Sequence, residues 1–210
     1  MKLILDRKEV EVSEGKSVLQ ACLENDIYIP HVCFLPEIRD NGASCRLCMV
    51  QIDGCSSPQS ACSVSIEEGM VVQTNTSRVR QLQKKAFHLL LSTHDVACGT
   101  CEANGVCELQ KIAKFLQVKL SNDRVAKYLK EPAIDTKHPC AIYYVNRCVL
   151  CARCLAACEK AQGSAQFSFS HRGINMRLSF IGMDSSICDN CSKICLQSCP
   201  TGALVHKKED

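Results

Sequence analysis

The sequence predicts an α+β protein built from several small modules rather than one large domain. Short stretches in which apolar and polar residues alternate predict strands, and apolar residues at helical spacing predict helices between them. Only 5% of the 210 residues are aromatic and none is Trp, which leaves little material for one large core. In addition, 18 residues are cysteine, a content typical of small scaffolds that are held together by metal or disulfide bonds.

The cysteines are predicted to bind metal rather than to form disulfides. The chain reaches Asp6 after the short apolar run Leu3-Ile4-Leu5, which is too short for a secretion signal. No apolar run approaches the roughly 18 residues that are needed to span a bilayer. We therefore expect a cytoplasmic protein, whose thiols stay reduced and available to metal. The formal net charge of +3 is too small to predict nucleic-acid binding.

Residues 1–75 are predicted to form two strands, a helix and then a cysteine-bearing loop between further strands. The helix is predicted from Ser17 to Asn25, and Cys22 lies on its apolar face, so Cys22 is predicted to be a core residue. The apolar pairs that mark the strands are Leu3 and Leu5, Val10 and Val12, Val50 and Ile52, and Val71 and Val72.

The first cysteine group of this module has the spacing C-x11-C-x2-C-x13-C and consists of Cys33, Cys45, Cys48 and Cys62. With the predicted strands and helix, the group resembles a plant-type 2Fe–2S ferredoxin (β-grasp) domain, although the usual first gap there is four residues and not eleven. The loop from Asn41 to Cys48 is rich in small residues, so its backbone N–H groups are expected to point at the cluster sulfurs.

A second group follows a predicted helix over residues 77–93, whose apolar face is predicted to contain Leu82, Ala86, Leu89 and Leu90. The four basic residues of this helix, Arg78, Arg80, Lys84 and Lys85, are predicted to form a solvated face rather than a docking patch. The group has the spacing H-x3-C-x2-C-x5-C and consists of His94, Cys98, Cys101 and Cys107. The registered spacing to three cysteines makes His94 a predicted metal ligand rather than a surface histidine.

Two further cysteine runs begin at Cys148 and Cys188, 40 residues apart, and indicate an internal repeat. They resemble the bacterial C-x2-C-x2-C-x3-C-P run, whose last cysteine ligates the other cluster of a two-cluster ferredoxin. One predicted 4Fe–4S site, the third group, is therefore Cys148, Cys151, Cys154 and Cys199, and the other, the fourth group, is Cys188, Cys191, Cys195 and Cys158. The spacing between Cys191 and Cys195 is one residue longer than in the bacterial run. The sequence therefore supports Cys195 less strongly as a ligand than the other seven cysteines.

A zinc-stabilised structural scaffold is the remote alternative for these paired cysteines. Tetrahedral zinc needs two C-x2-C pairs, whereas each of the last two runs supplies four cysteines within eleven or twelve residues. The histidines outside the second group, among them His31, His138 and His171, have no partner pattern for acid–base chemistry and are predicted to lie at the surface or in hairpins.

The order of these groups resembles the N-terminal part of the large iron–sulfur subunit of respiratory complex I. The residues that carry the resemblance are the group that ends in Cys107-Glu108-Leu109-Gln110, the stretch from Phe167 to Gly173 and the C-terminal Cys199-Pro200-Thr201-Gly202-Ala203-Leu204. The same module occurs in NAD-linked formate dehydrogenases and in multi-cluster iron-only hydrogenases. A chain of this length is similar to the small iron–sulfur subunit of NAD-reducing nickel–iron hydrogenases, which is part of their diaphorase moiety.

The resemblance implies an electron-transfer subunit with one 2Fe–2S and three 4Fe–4S clusters and no catalytic site of its own. It also implies a flavin- and NAD(P)-binding iron–sulfur partner subunit and a separate catalytic subunit, either a hydrogenase or, as the alternative, a formate dehydrogenase or complex I-like NADH dehydrogenase. The chain has no G-x-G-x-x-G or P-loop pattern, so flavin and nicotinamide are expected on the partner.

Four segments are predicted: residues 1–75 as the 2Fe–2S domain, 76–120 as a small helical 4Fe–4S domain, 121–139 as a linker, and 140–210 as a bacterial-type two-4Fe–4S ferredoxin domain. Three cysteines, Cys22, Cys55 and Cys140, remain without a predicted cluster.

Overall fold

The computed structural model describes residues 1–36, 43–121, 126–181 and 193–207. The chain divides into two compact units. The first unit consists of Met1–Phe87 together with Lys114–Val118, and the second of His88–Ala113 together with Lys119–Asp210. The structure is a mixture of helices and sheets, as the sequence predicts.

The first unit contains a five-stranded sheet in the order β2-β1-β5-β3-β4. Its strands are β1 Lys2–Leu5, β2 Lys8–Glu11, β3 Met49–Ile52, β4 Gln59–Ser60 and β5 Val71–Gln73. β1 pairs antiparallel with β2 and parallel with β5, while β3 lies antiparallel to β4 and β5. In β1, Leu3 and Leu5 are buried while their neighbours face solvent, because successive side chains of a strand point to opposite faces.

Helix α1, Val18–Glu24, lies in the segment that the sequence predicts as helical. Its start is fixed by a capping box, in which the Ser17 hydroxyl accepts from the Gln20 N–H and the Gln20 side chain accepts from the Ser17 N–H. The helix buries Leu19 and Cys22 in the core of the first unit, together with β1 and β3 side chains. Cys22 is therefore a core residue, as predicted.

Helix α2, Ser77–Ser92, confirms the predicted helix, but the predicted apolar face is wrong. Its fully buried residues are Val79, Gln83, Phe87 and Leu91, which recur every four residues. Leu89, placed on the buried face by the sequence, is 69% exposed. The polar Gln83 is buried because its Nε2 donates to the Met49 carbonyl at 3.0 Å, a tertiary contact that hydrophobicity along the helix does not reveal.

The second unit contains short elements around the later cysteine groups. They include α3 Glu108–Leu116, whose last residues belong to the first unit, and α4 Arg153–Gln162 and α5 Ile194–Gln197. A three-stranded sheet has the order β10-β7-β6, from β6 Ile134–Asp135, β7 Ala141–Tyr144 and β10 Leu204–His206. Strands β8 Phe167–Ser170 and β9 Arg177–Phe180 form a separate antiparallel hairpin.

The core of the second unit is built from aromatic, aliphatic and cysteine side chains. Tyr143, Phe167 and Leu178 are buried there with Cys158 and Cys195. The segment predicted as a linker supplies β6 to the sheet of this unit. Among the described residues, no helix is both long and apolar enough to cross a membrane.

Candidate metal centres

The four predicted ligands of the first group lie in two contacting pairs. The Sγ atoms of Cys33 and Cys45 are 3.4 Å apart, and Cys48 and Cys62 lie close enough for each thiol to shift the pKa of the other. Three of the four cysteines are buried, and Cys62 is half-buried. The Ala61 N–H donates to the Cys48 carbonyl at 2.9 Å, which ties the segment before Cys62 to the segment that carries Cys48.

The described part of the loop from Asn41 to Cys48 turns sharply, as the sequence predicts. Ala43 and Arg46 both have positive φ, 41° and 54°, a conformation that turns the chain sharply and is uncommon outside glycine. The Cys45 side chain and the backbone and hydroxyl groups of Ser44 hydrogen-bond to Cys33 and lower the pKa of the Cys33 thiol. Hydrogen bonds of this kind favour the thiolate, which is the form that ligates iron. Asn41 and Gly42 lie outside the described residues.

The second group surrounds one small cavity, which is lined by His94, Cys98, Cys101 and Cys107. His94 follows α2, Cys98 opens a 3-10 turn that ends at Thr100, and Cys107 immediately precedes α3. The Asp95 N–H donates to the Asn146 carbonyl at 2.7 Å and fixes the chain beside His94. Local turns therefore bring all four predicted ligands to one space.

The imidazole of His94 is prepared to act as a neutral ligand. Burial lowers the pKa of His94 to about 4, even though the neighbouring Asp95 opposes this shift. The donor set of this cavity, one imidazole and three thiols, therefore fits a cluster with one histidine ligand.

The third group surrounds a second small cavity. All four predicted ligands line it: Cys148, Cys151, Cys154 and Cys199. Leu150 and Ala152, which alternate with the cysteines, have positive φ of 53° and 62°, so the loop wraps around the space. The Ala203 N–H points at the Cys199 Sγ at 3.3 Å. The donors fit a cluster with four thiolate ligands.

The thiols of this second cavity need a compensating positive charge to ionise. Burial raises the pKa of Cys151 to about 12 and also raises the pKa values of Cys148 and Cys154. Because a coordinating thiol is deprotonated by its metal, bound iron would supply that charge.

The fourth group can be followed only in part. Cys188 and Cys191 lie outside the described residues. Cys158 and Cys195 are both buried in the core of the second unit, where α4 packs against α5. The Gln166 N–H donates to the Cys158 Sγ at 3.4 Å.

All of the cysteines in the described ranges are free thiols, and no disulfide joins them. Within the same ranges, no three His, Cys, Asp or Glu side chains are grouped closely enough to hold a single metal ion. The second and third groups each line a cavity instead. Of the cysteines without a predicted cluster, Cys22 is in the core, Cys55 is exposed and Cys140 is half-buried.

Comparison with protein families assigns two regions of the chain. Residues 1–77 match the 2Fe-2S iron-sulfur cluster binding domain, and residues 83–121 match the NADH-ubiquinone oxidoreductase-G iron-sulfur binding region. The matches cover the first and second cysteine groups.

Two curated relatives extend the likeness to nearly the whole chain. An NADH-quinone oxidoreductase subunit of Rhizobium meliloti is 32% identical over 208 residues, which is 98% of this chain and 24% of the relative. NADP-reducing hydrogenase subunit HndD of Solidesulfovibrio fructosivorans is 31% identical over 216 residues, which is 98% of this chain and 36% of the relative. The chain therefore contains a 2Fe-2S cluster binding domain and an iron-sulfur binding region of the NADH-ubiquinone oxidoreductase-G type, and it is homologous to parts of hydrogenase and complex I subunits. It spans about a quarter to a third of the length of these relatives.

A solved structure supports the fold of the chain. A chain of the crystal structure of an NAD+-reducing [NiFe]-hydrogenase in the H2-reduced state superposes with a TM-score of 0.86 at 28% sequence identity. The superposition covers 98% of this chain and 87% of the hydrogenase chain. The two chains are therefore similar in fold over almost their full lengths.

Beside the candidate clusters, the structure adds residues that sequence reasoning missed. Tyr143 lines the cavity of the third group, and Thr201 lines the cavities of both the second and the third group. The sequence carries a weak signal for Thr201, which follows the Cys199-Pro200 pair. Tyr143 carries none, since an aromatic residue in a strand is normally a core residue. His138 lies in the hairpin that joins β6 to β7, within the alternatives that the sequence predicts, and it is buried there against Phe167 and Phe180.

Proposed function

We propose that this chain is an iron–sulfur subunit that relays single electrons through one 2Fe–2S and three 4Fe–4S clusters. The observation that carries the proposal is that two separate sets of predicted cubane ligands each line one cavity. The family matches to the first and second cysteine groups support it, as does the similarity to a chain of an NAD+-reducing hydrogenase.

The proposed ligand sets follow the cysteine groups. Cys33, Cys45, Cys48 and Cys62 would hold the 2Fe–2S cluster, and His94, Cys98, Cys101 and Cys107 the first 4Fe–4S cluster. Cys148, Cys151, Cys154 and Cys199 would hold the second 4Fe–4S cluster, and Cys158, Cys188, Cys191 and Cys195 the third. We further propose that residues 140–210 form a two-4Fe–4S ferredoxin domain, with residues 1–75 and 76–120 as the preceding domains.

When bound, such clusters accept and donate one electron at a time, at potentials that depend on ligands, hydrogen bonds and burial. The protein holds the ligands in place and tunes these potentials. His94 replaces an anionic thiolate with a neutral ring, which is expected to raise the potential of its cluster over that of an all-cysteine one. The N–H groups that point at Cys33 and Cys199 stabilise the more negative, reduced state.

The proposed partners are a flavin- and NAD(P)-binding iron–sulfur subunit and a catalytic hydrogenase subunit in a cytoplasmic complex. The names of the NADP-reducing hydrogenase subunit and of the NAD+-reducing hydrogenase structure support this assignment. The alternative is the same relay role in a complex I-like NADH dehydrogenase, which the similarity to the NADH-quinone oxidoreductase of Rhizobium meliloti supports, or in an NAD-linked formate dehydrogenase.

Metal analysis of protein purified without oxygen tests the proposal. We expect roughly 14 iron atoms per chain, from one 2Fe–2S and three 4Fe–4S clusters. A colourless preparation that contains zinc in place of iron would overturn the proposal and favour the structural scaffold.

Substitution of single ligands tests the proposed grouping. Cys98→Ser should remove one 4Fe–4S signal from the electron paramagnetic resonance (EPR) spectrum of the reduced protein and leave the 2Fe–2S signal intact. The matched control is Cys55→Ser, because Cys55 is exposed and lies outside every ligand set. Loss of the 2Fe–2S signal in the Cys98 variant, with all 4Fe–4S signals retained, would show that the grouping is wrong.

A further inference from the structure

The backbone of Arg147 contacts the surroundings of both cavities in the second unit. The residue directly precedes Cys148, a predicted ligand of the third group. The carbonyl of its neighbour Asn146 accepts at 2.7 Å from the N–H of Asp95, which follows the histidine of the second group. The Arg147 carbonyl accepts from the Thr201 hydroxyl at 2.7 Å, and Thr201 lines both cavities. Arg147 is therefore held beside two predicted clusters.

The guanidinium of Arg147 is directed toward the second group. Its Nη2 donates to the Thr100 carbonyl at 3.4 Å. Thr100 ends the 3-10 turn that begins at Cys98, and the Cys101 N–H closes this turn by donating to the Cys98 carbonyl at 3.2 Å. The positive charge therefore lies against the turn that carries two of the three cysteines of the predicted His94 cluster.

Burial and stacking hold this charge in place. Arg147 is only 8% exposed, and its guanidinium carbon lies 4.0 Å from the centroid of the Tyr144 ring. The face of an aromatic ring attracts a cation, so the stacking stabilises this position. An arginine side chain stays protonated in proteins, which makes the charge permanent. A permanent charge in a buried site acts strongly on other nearby charges and is little screened by salt.

The buried charge of Arg147 needs a negative charge nearby. Within the described part of the chain, no carboxylate forms an ion pair with it. Burial of an unpaired cation costs free energy, and a neutral donor such as glutamine could hold the Thr100 carbonyl without that cost. A 4Fe–4S cluster with three thiolate ligands is net negative in both redox states. Such a cluster in the cavity of the second group would supply the compensating charge.

We propose that Arg147 is the fixed counter-charge of the cluster held by His94, Cys98, Cys101 and Cys107 and raises the midpoint potential of this cluster. Reduction adds one electron and therefore one negative charge to the cluster, so a positive charge stabilises the reduced form more than the oxidised form. Arg147 thereby acts in the same direction as the neutral imidazole ligand. The inference rests on the proposed function, since it requires the cluster to be present.

The test is an EPR-monitored redox titration of the holoprotein and of its Arg147→Met variant. The signal of the relevant cluster is first identified as the one that Cys98→Ser removes. We expect the midpoint potential of that cluster to become more negative in Arg147→Met and to return toward the original value in Arg147→Lys, which restores the charge. An unchanged potential in Arg147→Met would overturn the inference.

Arg172→Met is the matched control, because it removes the same charge from an exposed arginine of the second unit. We expect its midpoint potentials to equal those of the unmodified protein at physiological ionic strength, since salt screens exposed charges. If the His94 cluster shifted as much in Arg172→Met as in Arg147→Met, the position of the charge would not matter and the inference would be wrong.

Arg147→Met also removes the donor to the Thr100 carbonyl and can therefore disturb the turn at Cys98. Citrulline placed at position 147 separates the two effects, because it keeps the shape and N–H donors of arginine and lacks the charge. We expect the His94 cluster of this variant to have a more negative potential than that of the unmodified protein. Equal potentials would show that the hydrogen bond acts alone and would overturn the inference.

The failure of this inference can be distinguished from the failure of the proposed function. Iron-loaded protein whose potentials are the same with arginine and with citrulline at position 147 would overturn the inference alone. Failure of the unmodified protein to bind iron would instead overturn the proposed function itself.

Discussion

At the scale of single residues, Gly202 connects the second and third cysteine groups. Its φ of +65° lies in the left-handed region that favours glycine. A Cβ atom at this position would lie 2.8 Å from the Ala103 Cβ and 3.2 Å from the Cys101 Sγ. The Cys101 Sγ also lies 3.9 Å from the carbonyl oxygen of Thr201. The loop after Cys199 therefore packs directly on a predicted ligand of the His94 cavity, and only glycine leaves enough room.

We predict that Gly202→Ala destabilises the protein and selectively disturbs the cluster at His94. The left-handed conformation costs an alanine about 1 kcal/mol, and the overlap with Ala103 adds on the order of 1–3 kcal/mol. The control is Gly163→Ala, which has a φ of +74° but nothing within 4 Å of its Cβ position, so it bears the first cost alone. Thermal melting and EPR signal intensity measure both effects. Equal losses in the two variants would contradict the steric explanation.

His138 shows the effect of burial on a residue outside the predicted clusters. Its ring packs on Phe180 at a centroid distance of 4.7 Å, and its Nδ1 accepts from the Cys140 N–H at 3.1 Å. Accepting at Nδ1 requires the neutral ring. Burial lowers the pKa of His138 below its ordinary value of 6.5.

We predict that His138 makes stability depend on pH below about 6.5. Because the folded pKa is lowered, the unfolded chain binds a proton more readily than the folded protein does. The stability that the neutral ring contributes is complete above pH 6.5 and declines as the pH falls through the folded pKa. The difference in melting temperature between the unmodified protein and His138→Gln should shrink between about pH 7.5 and about pH 5.5.

The exposed His171 provides the control for this measurement. His171→Gln should give only a small difference in melting temperature, because its side chain is exposed. A difference for His138→Gln that does not change with pH would show that its ring contributes through packing alone.

At the scale of secondary-structure elements, α2 is positioned by a polar contact within the first unit. The Gln83 side chain lies on the buried face of the helix, donates to the Met49 carbonyl and accepts from Arg80 at 3.1 Å. Met49 directly follows Cys48, so this contact holds the helix against the strand that begins beside a predicted 2Fe–2S ligand.

We predict that Gln83→Leu lowers the free energy of unfolding by about 1–3 kcal/mol, because the Met49 carbonyl is left buried without its donor. Gln81→Leu is the matched control, since Gln81 lies on the exposed side of the same helix and should change stability little. Urea unfolding followed through the visible circular dichroism of the 2Fe–2S cluster measures both. If Gln83→Leu were as stable as the control, hydrophobic burial would outweigh the lost hydrogen bond.

The sequence predicted which helices and strands form better than it predicted which of their faces is buried. The alternation of Leu3 and Leu5 and the capping residue Ser17 are local signals, so β1 and α1 follow directly from the sequence. The buried face of α2 could not be derived in the same way. Gln83 lies on its buried face and donates to Met49, which is distant in sequence, whereas the more apolar Leu89 remains exposed.

At the scale of the whole molecule, the two units differ in what their cores contain. The core of the first unit is mostly aliphatic, with residues such as Leu3, Leu19 and Val72. The core of the second unit includes Cys158 and Cys195, and Cys148, Cys154 and Cys199 pack against it. Predicted ligands therefore make up a larger share of the second core, since the first core contains Cys48 alone among them, with Cys62 packed against it.

We predict that removal of iron unfolds the second unit more than the first. Cluster binding provides much of the folding free energy where ligands make up the core, whereas the aliphatic core of the first unit keeps part of its stability without metal. Amide hydrogen exchange of the apoprotein should show protection in β1 and β3 and little protection in β7 and α4. Protection of β7 and α4 equal to that of the holoprotein would contradict this prediction.

The sequence by itself was sufficient to predict the mixed architecture and the candidate ligand groups. Most ligands of one cluster come from a short run such as Cys148 to Cys154, so their spacing along the chain already reflects their spacing around the cavity. Only the tertiary structure decided that Tyr143 lines the cavity of the third group, that Gly202 packs on Cys101 and that His138 is buried. These contacts depend on how separate strands and loops pack, and no local pattern of residue types records that packing.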